Sequence, residues 1–195
     1  MVNVNAPFGL RAVGELGSNI QNGGTTEYNI LPGLATQIYK GDLVQILAAN
    51  GTIQQAANGG IDNLGVFNGC LYDDPTTQKP TWSNYYPGGI TPTGGGLIKA
   101  FVYDDPNKLF EIQGSAILAK TAAVGKNTDI LLAQGNTING QSATQMNTAF
   151  PPAAASAQLR IVGFSTDPEN SDPLTANANW IVRINEHVYS RATGV

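Results

Sequence analysis

Gly41-Asp42-Leu43-Val44-Gln45-Ile46-Leu47-Ala48-Ala49-Asn50-Gly51-Thr52-Ile53 is the stretch that decides the fold class. An apolar run, the polar pair Asn50-Gly51 and a return to apolar residues spell a β-hairpin, because the two central residues of a tight primed turn both need positive φ. The unit closes at Leu64-Gly65-Val66-Phe67-Asn68-Gly69. A looser echo runs from Thr128-Asp129-Ile130-Leu131-Leu132-Ala133-Gln134-Gly135-Asn136-Thr137-Ile138 to Arg160-Ile161-Val162-Gly163-Phe164-Ser165. Short apolar runs divided by turn residues at near-regular spacing predict an all-β chain, a small barrel or sandwich of about eight to ten strands, with duplication of the unit as one arrangement the echo allows.

Working outward, residues 25–31 and 37–47 read as strands parted by Pro32-Gly33, and 61–72 as the return strand. Residues 97–103 and 109–113 read as a strand pair around Asp104-Asp105-Pro106-Asn107, and 159–165 and 180–187 as the last strands. In the last, Val182, Ile184 and Glu186 alternate with Arg183, Asn185 and His187, so one face is expected to be wet. Residues 116–124 read as a short helix or a strand, and a second short helix is expected over 143–149, in an Ala-rich stretch that also holds Pro151-Pro152. Residues 1–24 read as an extended arm whose apolar anchors are Phe8, Leu10, Val13, Leu16 and Ile20, with residues 25–195 as the β-rich domain. Residues 73–96 form a long insertion. Its four prolines remove ladder donors, its glycines permit unusual φ, and it carries Trp82, Tyr85 and Tyr86, which are either folded back or offered to a partner.

Composition narrows the function classes. Only 12% of the 195 residues are charged and the formal net charge is −4. A surface this poor in charge suits a subunit covered by neighbours, since interface cores are depleted in charge. The absence of any Lys/Arg cluster removes the electrostatic basis for direct nucleic-acid binding. No apolar run approaches the ~20 residues of a membrane span, and the N-terminus lacks the basic and apolar regions of a secretory signal, so synthesis and assembly in a cytoplasm, without export, are expected. The single cysteine, Cys70, allows no internal disulfide and reads as a buried thiol.

The motifs carry little chemistry. Tyr72-Asp73-Asp74-Pro75 recurs as Tyr103-Asp104-Asp105-Pro106, with weaker echoes at Ser165-Thr166-Asp167-Pro168 and Ser171-Asp172-Pro173. Paired carboxylates serve calcium sites and glycoside hydrolysis. An Asp before Pro is also the chemistry of a turn, where the carboxylate accepts from backbone donors two residues on, and that reading is preferred. His187 is the lone histidine and no Gly-x-Ser-x-Gly elbow accompanies it, so a strand-borne surface or interface residue is expected rather than a triad member. Gly94-Gly95-Gly96 is followed by no Gly-Lys-Ser/Thr and is not a phosphate loop. The expectation is a non-enzyme without catalytic, metal or cofactor-binding residues.

Five segments together carry a resemblance. They are Asn5-Ala6-Pro7-Phe8-Gly9-Leu10-Arg11, Ile38-Tyr39-Lys40-Gly41-Asp42-Leu43-Val44, Gly65-Val66-Phe67-Asn68-Gly69-Cys70-Leu71-Tyr72, Val102-Tyr103-Asp104-Asp105-Pro106 and Val182-Arg183-Ile184-Asn185-Glu186-His187. The chain resembles the capsid decoration (cement) proteins of tailed bacteriophages of aquatic hosts, similar in role to the head-stabilising proteins of lambda-like phages. That resemblance implies a β-rich fold, homotrimers at capsid three-fold positions, contact with the major capsid protein, and a place on the outer surface of the virion. The contact candidates are Phe8, Leu10, Arg11, Trp82, Tyr85 and Tyr86. The alternative is a head–tail or tail component, or a carbohydrate-binding host-adhesion module, for which Trp82, Tyr85 and Tyr86 are the motive.

Overall fold

The computed structural model describes residues 3–17, 24–149, 155–166, 168–172, 174–192 and 195. The anchor Ile20, the Pro151-Pro152 pair, Asp167 and Pro173 lie outside the described residues. The chain is all-β. Its strands are β1 (Arg11–Glu15), β2 (Thr26–Ile30), β3 (Ile38–Tyr39), β4 (Leu43–Ile46), β5 (Ile53–Gln55), β6 (Asn63–Asp73), β7 (Pro80–Ser83) and β8 (Tyr85–Tyr86), followed by β9 (Ile98–Tyr103) and β10 (Lys108–Gln113). After a single helical turn, α1 (Lys120–Ala123), come β11 (Asn127–Thr128), β12 (Ile130–Leu131), β13 (Gln145–Met146), β14 (Leu159–Phe164) and β15 (Asn179–Ile184).

Two sheets dominate. The first runs β4-β5-β2-β9-β6-β7, and because β4 also pairs with β6, five of its strands close into a barrel that β7 extends. All its pairings are antiparallel except β2 with β5. Ile30, Val44, Ile53, Phe67, Cys70, Ile98 and Val102 fill its interior without exposure. The second sheet is β1-β10-β15-β14-β11. Its Phe110, Ile112, Leu159, Ile161, Trp180 and Val182 form a second cluster that also takes in Leu43 and Val66 from the barrel, so the two sheets share a packed seam. The different strand orders make the sequence echo a local likeness, not a duplicated fold.

Several expectations are corrected. The segment 37–47 is two strands, because Tyr39-Lys40-Gly41-Asp42 turns: Gly41 has φ +94°, and a Cβ there would lie 2.7 Å from the Phe8 carbonyl oxygen. At the hairpin only Gly51 has positive φ, at +68°. The loop is therefore longer than the two-residue primed turn and is closed by Leu47 N–H donating to the Thr52 carbonyl at 2.8 Å. β9 and β10 do not pair with each other. β9 lies between β2 and β6 while β10 lies between β1 and β15, so the Asp104–Asn107 turn carries the chain from one sheet to the other. The helix expected over 143–149 is replaced by β13, paired with β12. The insertion, by contrast, needs no correction: it takes the folded-back alternative, with β7 on β6 and β8 on β3. The supposed arm is tied down by its own domain: β1 is an edge strand on β10, the Asn3 side-chain amide donates to the Asp172 and Ala176 carbonyls at 2.9 and 3.0 Å, and the Val4 carbonyl accepts from Gln113 at 3.0 Å.

Candidate functional site

The site is built where three distant segments meet edge to edge. Leu10 N–H donates to the Gly41 carbonyl and Gly41 N–H to the Phe67 carbonyl, both at 2.8 Å. A fourth segment joins them, with Gln141 Nε2 donating to the Phe8 carbonyl at 2.6 Å. Asp42 underpins the junction. Fully buried, its carboxylate accepts from Tyr39 N–H and Gln55 Nε2 at 2.8 Å, Ser142 Oγ at 2.6 Å and Thr144 Oγ1 at 3.3 Å. Burial pushes its pKa up and these donors draw it part of the way back.

Between these segments lies a cleft of about 340 Å³. Its floor is the buried apolar trio Leu10, Val66 and Phe67. Phe8 forms one wall, with the Arg11 guanidinium 4.8 Å from its ring centroid. Arg11 also pairs with the buried Glu111 carboxylate. Lys40 stands exposed at the rim. Asn68 reaches the cleft because of a β-bulge: the β6–β9 register shifts between Phe67 and Gly69. A bulge re-aims the side chain of the extra residue.

The six contact candidates divide. Phe8, Leu10 and Arg11 come together at the cleft, but Leu10, only 3% exposed, is a core residue and no free peg. Trp82 is half exposed on the outer face of the barrel, over Gly69 and 5.2 Å from Phe101. Tyr85 stacks on Tyr39 with centroids 5.4 Å apart. Tyr86 is fully buried, its hydroxyl donating to the Leu34 carbonyl at 2.9 Å, and offers no surface. Sequence reasoning missed Lys40, Asn68 and Tyr103 as cleft residues. One signal was present: a Gly following Asn inside an otherwise apolar strand, as at Asn68-Gly69, marks a bulge.

The other motifs fall elsewhere. Asp74 Oδ1 accepts from Thr76 and Thr77 N–H, both at 2.8 Å, and Asp105 Oδ1 from Asn107 N–H at 2.8 Å, so these two carboxylates build turns. Asp104 instead accepts from Thr26 and Tyr28 hydroxyls at 2.9 and 2.7 Å, clamping β2 to the turn after β9. His187 is fully buried rather than on a wet face, because β15 ends at Ile184 and the chain turns inward. Its Nδ1 accepts from Tyr189 N–H at 3.1 Å, and burial lowers its pKa. Burial also pushes the Cys70 thiol up to about 12. Among the described residues no three His, Cys, Asp or Glu side chains converge as a metal site would need. No helix of the described residues is long and apolar enough to cross a membrane. Comparison with protein-family models, curated proteins and solved structures finds no match for this chain.

Proposed function

We propose that this chain is a structural virion protein that decorates a phage capsid and stabilises it by bridging subunits of the major capsid protein, acting as a homotrimer. One observation carries the reading. Four of the five segments that resemble decoration proteins, far apart in sequence, meet in space and supply nine of the eleven residues lining the cleft. Segments brought together at a surface cleft with an apolar floor are what a shared binding surface requires, and a protein–protein contact needs no catalytic group there. A trimer closes without leaving a sticky end. Engaging several capsid subunits at once makes the sum of weak contacts hard to undo against outward DNA pressure.

A second reading, a glycan-binding adhesion module, draws on the half-exposed Trp82. Copy number separates the two. On a stained gel of purified virions, a decoration protein appears in proportion to the major capsid protein, whereas an adhesin appears at a few copies per particle. A band at adhesin level would end the decoration reading.

A further inference from the structure

We infer that the cleft between Phe8 and Lys40 is a docking site for an extended peptide segment in which an Asp or Glu carboxylate lies beside an apolar side chain. The floor of Leu10, Val66 and Phe67 with the Phe8 wall gives an apolar hollow of about 340 Å³, at the small end of ligand-sized clefts. That is room for one large side chain and its flanking backbone, not for a folded element.

The rim sets the charge of the occupant. Arg11 is engaged by Glu111 beneath it. Lys40 has no ion-pair partner among the described residues. The carboxylate nearest to it in sequence, Asp42, is sealed under the turn with both oxygens occupied by donors. The cleft therefore presents one uncommitted positive charge beside apolar surface. A single cation is too little for a nucleic-acid backbone, whose binding grows with the number of phosphates neutralised. A purely apolar occupant would leave the ammonium unused.

The Asn68 amide adds a donor and an acceptor. It lines the cleft and makes no hydrogen bond with another described residue, although the bulge turns it to the mouth of a structured groove. An extended backbone supplies matching N–H and C=O groups at that position. The turn bearing Lys40 is fixed from both sides, by Asp42 accepting from Tyr39 N–H at 2.8 Å and by Lys40 N–H donating to Gly140 at 2.9 Å. Little ordering is therefore left for binding to impose.

This deepens the decoration reading and rests on it only for who supplies the segment. The test uses a free peptide, so it succeeds or fails apart from any capsid. N-acetyl-Leu-Asp-Phe amide and its Asn counterpart are titrated into the isotope-labelled full chain and followed by backbone amide shifts. Saturable shifts at Ala12, Gly41 and Asn68 are expected with the Asp peptide, and binding about fivefold weaker with the Asn peptide, the scale of one rim charge pair. Lys40→Ala, at an exposed site that leaves the fold intact, should bring the Asp peptide down to the level of the Asn peptide. No saturable shift at millimolar Asp peptide, shifts centred elsewhere, or equal binding of both peptides by the wild type would overturn the inference.

Discussion

Asp42 is the residue on which the meeting of segments depends, since its two oxygens gather donors from 39, 55, 142 and 144. Replacing it by Ala leaves those buried donors unmatched and should cost about 3 kcal/mol in urea unfolding. Its pH behaviour is the reverse of a salt-bridged surface acid. Burial raises the carboxyl above its ordinary 3.8, so the folded chain binds a proton there more readily than the unfolded chain. Its contribution to stability is then greatest below 3.8 and declines as pH rises toward the raised value. Asp42→Asn removes this titration. Comparing denaturation at about pH 7 and about pH 4.5, the wild type should gain on the Asn variant at the lower pH. A difference that stays constant would mean that the carboxyl titrates normally.

At the level of elements, β1 departs furthest from what the sequence predicts. Arg11–Glu15 has one exposed edge and a half-exposed face, so it lacks the apolar alternation that reveals a strand. Its partner Glu111 lies a hundred residues away. The hairpin of β4 and β5 and the long β6 were legible because their signals are local: apolar runs, a turn pair and close return. Which strands pair across the two sheets was not, since β9 and β10 are sequence neighbours that lie in different sheets. The same split explains the site. Phe8, Leu10 and Arg11 could be picked out as an apolar and cationic cluster in one segment, whereas Lys40, Asn68 and Tyr103 join them only through long-range pairing. One consequence is checkable. An arm merely resting on the domain could be cut away without loss, but truncating Leu10 to Ala should lower stability by about 3 kcal/mol, and deletion of residues 1–16 should lower the melting temperature by more than the point change does. Unchanged melting of the deletion variant would show that β1 contributes no stability.

Across the whole molecule, few charges are spread over a surface that also bears isolated apolar side chains. Among the described residues Ile138 is the extreme case, 94% exposed at the tip of a turn. That turn is closed by Gly140 N–H donating to Asn136 at 2.8 Å, and Ile138 N–H caps onto Asn136 Oδ1 at 2.8 Å. A rigid mount for an exposed isoleucine suits a contact between copies, because a stable interface removes ~1,600 Å² of surface and needs apolar side chains near its centre. Ile138→Asp should reduce the mass measured by light scattering while leaving the melting temperature nearly unchanged, as exposed substitutions usually shift stability by under about 0.5 kcal/mol. An unaltered mass would remove Ile138 from the proposed trimer contact.

The pairing of β1 with β10, about a hundred residues further on, sets a timetable for synthesis. Every barrel strand lies within residues 26–103, so the barrel can close while the rest of the chain is still on the ribosome. β1 must wait for Glu111 and its neighbours, and Asn3 for Asp172 and Ala176. Contacts this distant form slowly. Residues 3–15 thus dock only after strands far along the chain have formed, and the cleft is complete only once Gln141, which holds the Phe8 carbonyl, is in place. A nascent chain that stops short of residue 141 lacks that lining, so the peptide segment proposed to dock there would meet an unfinished cleft.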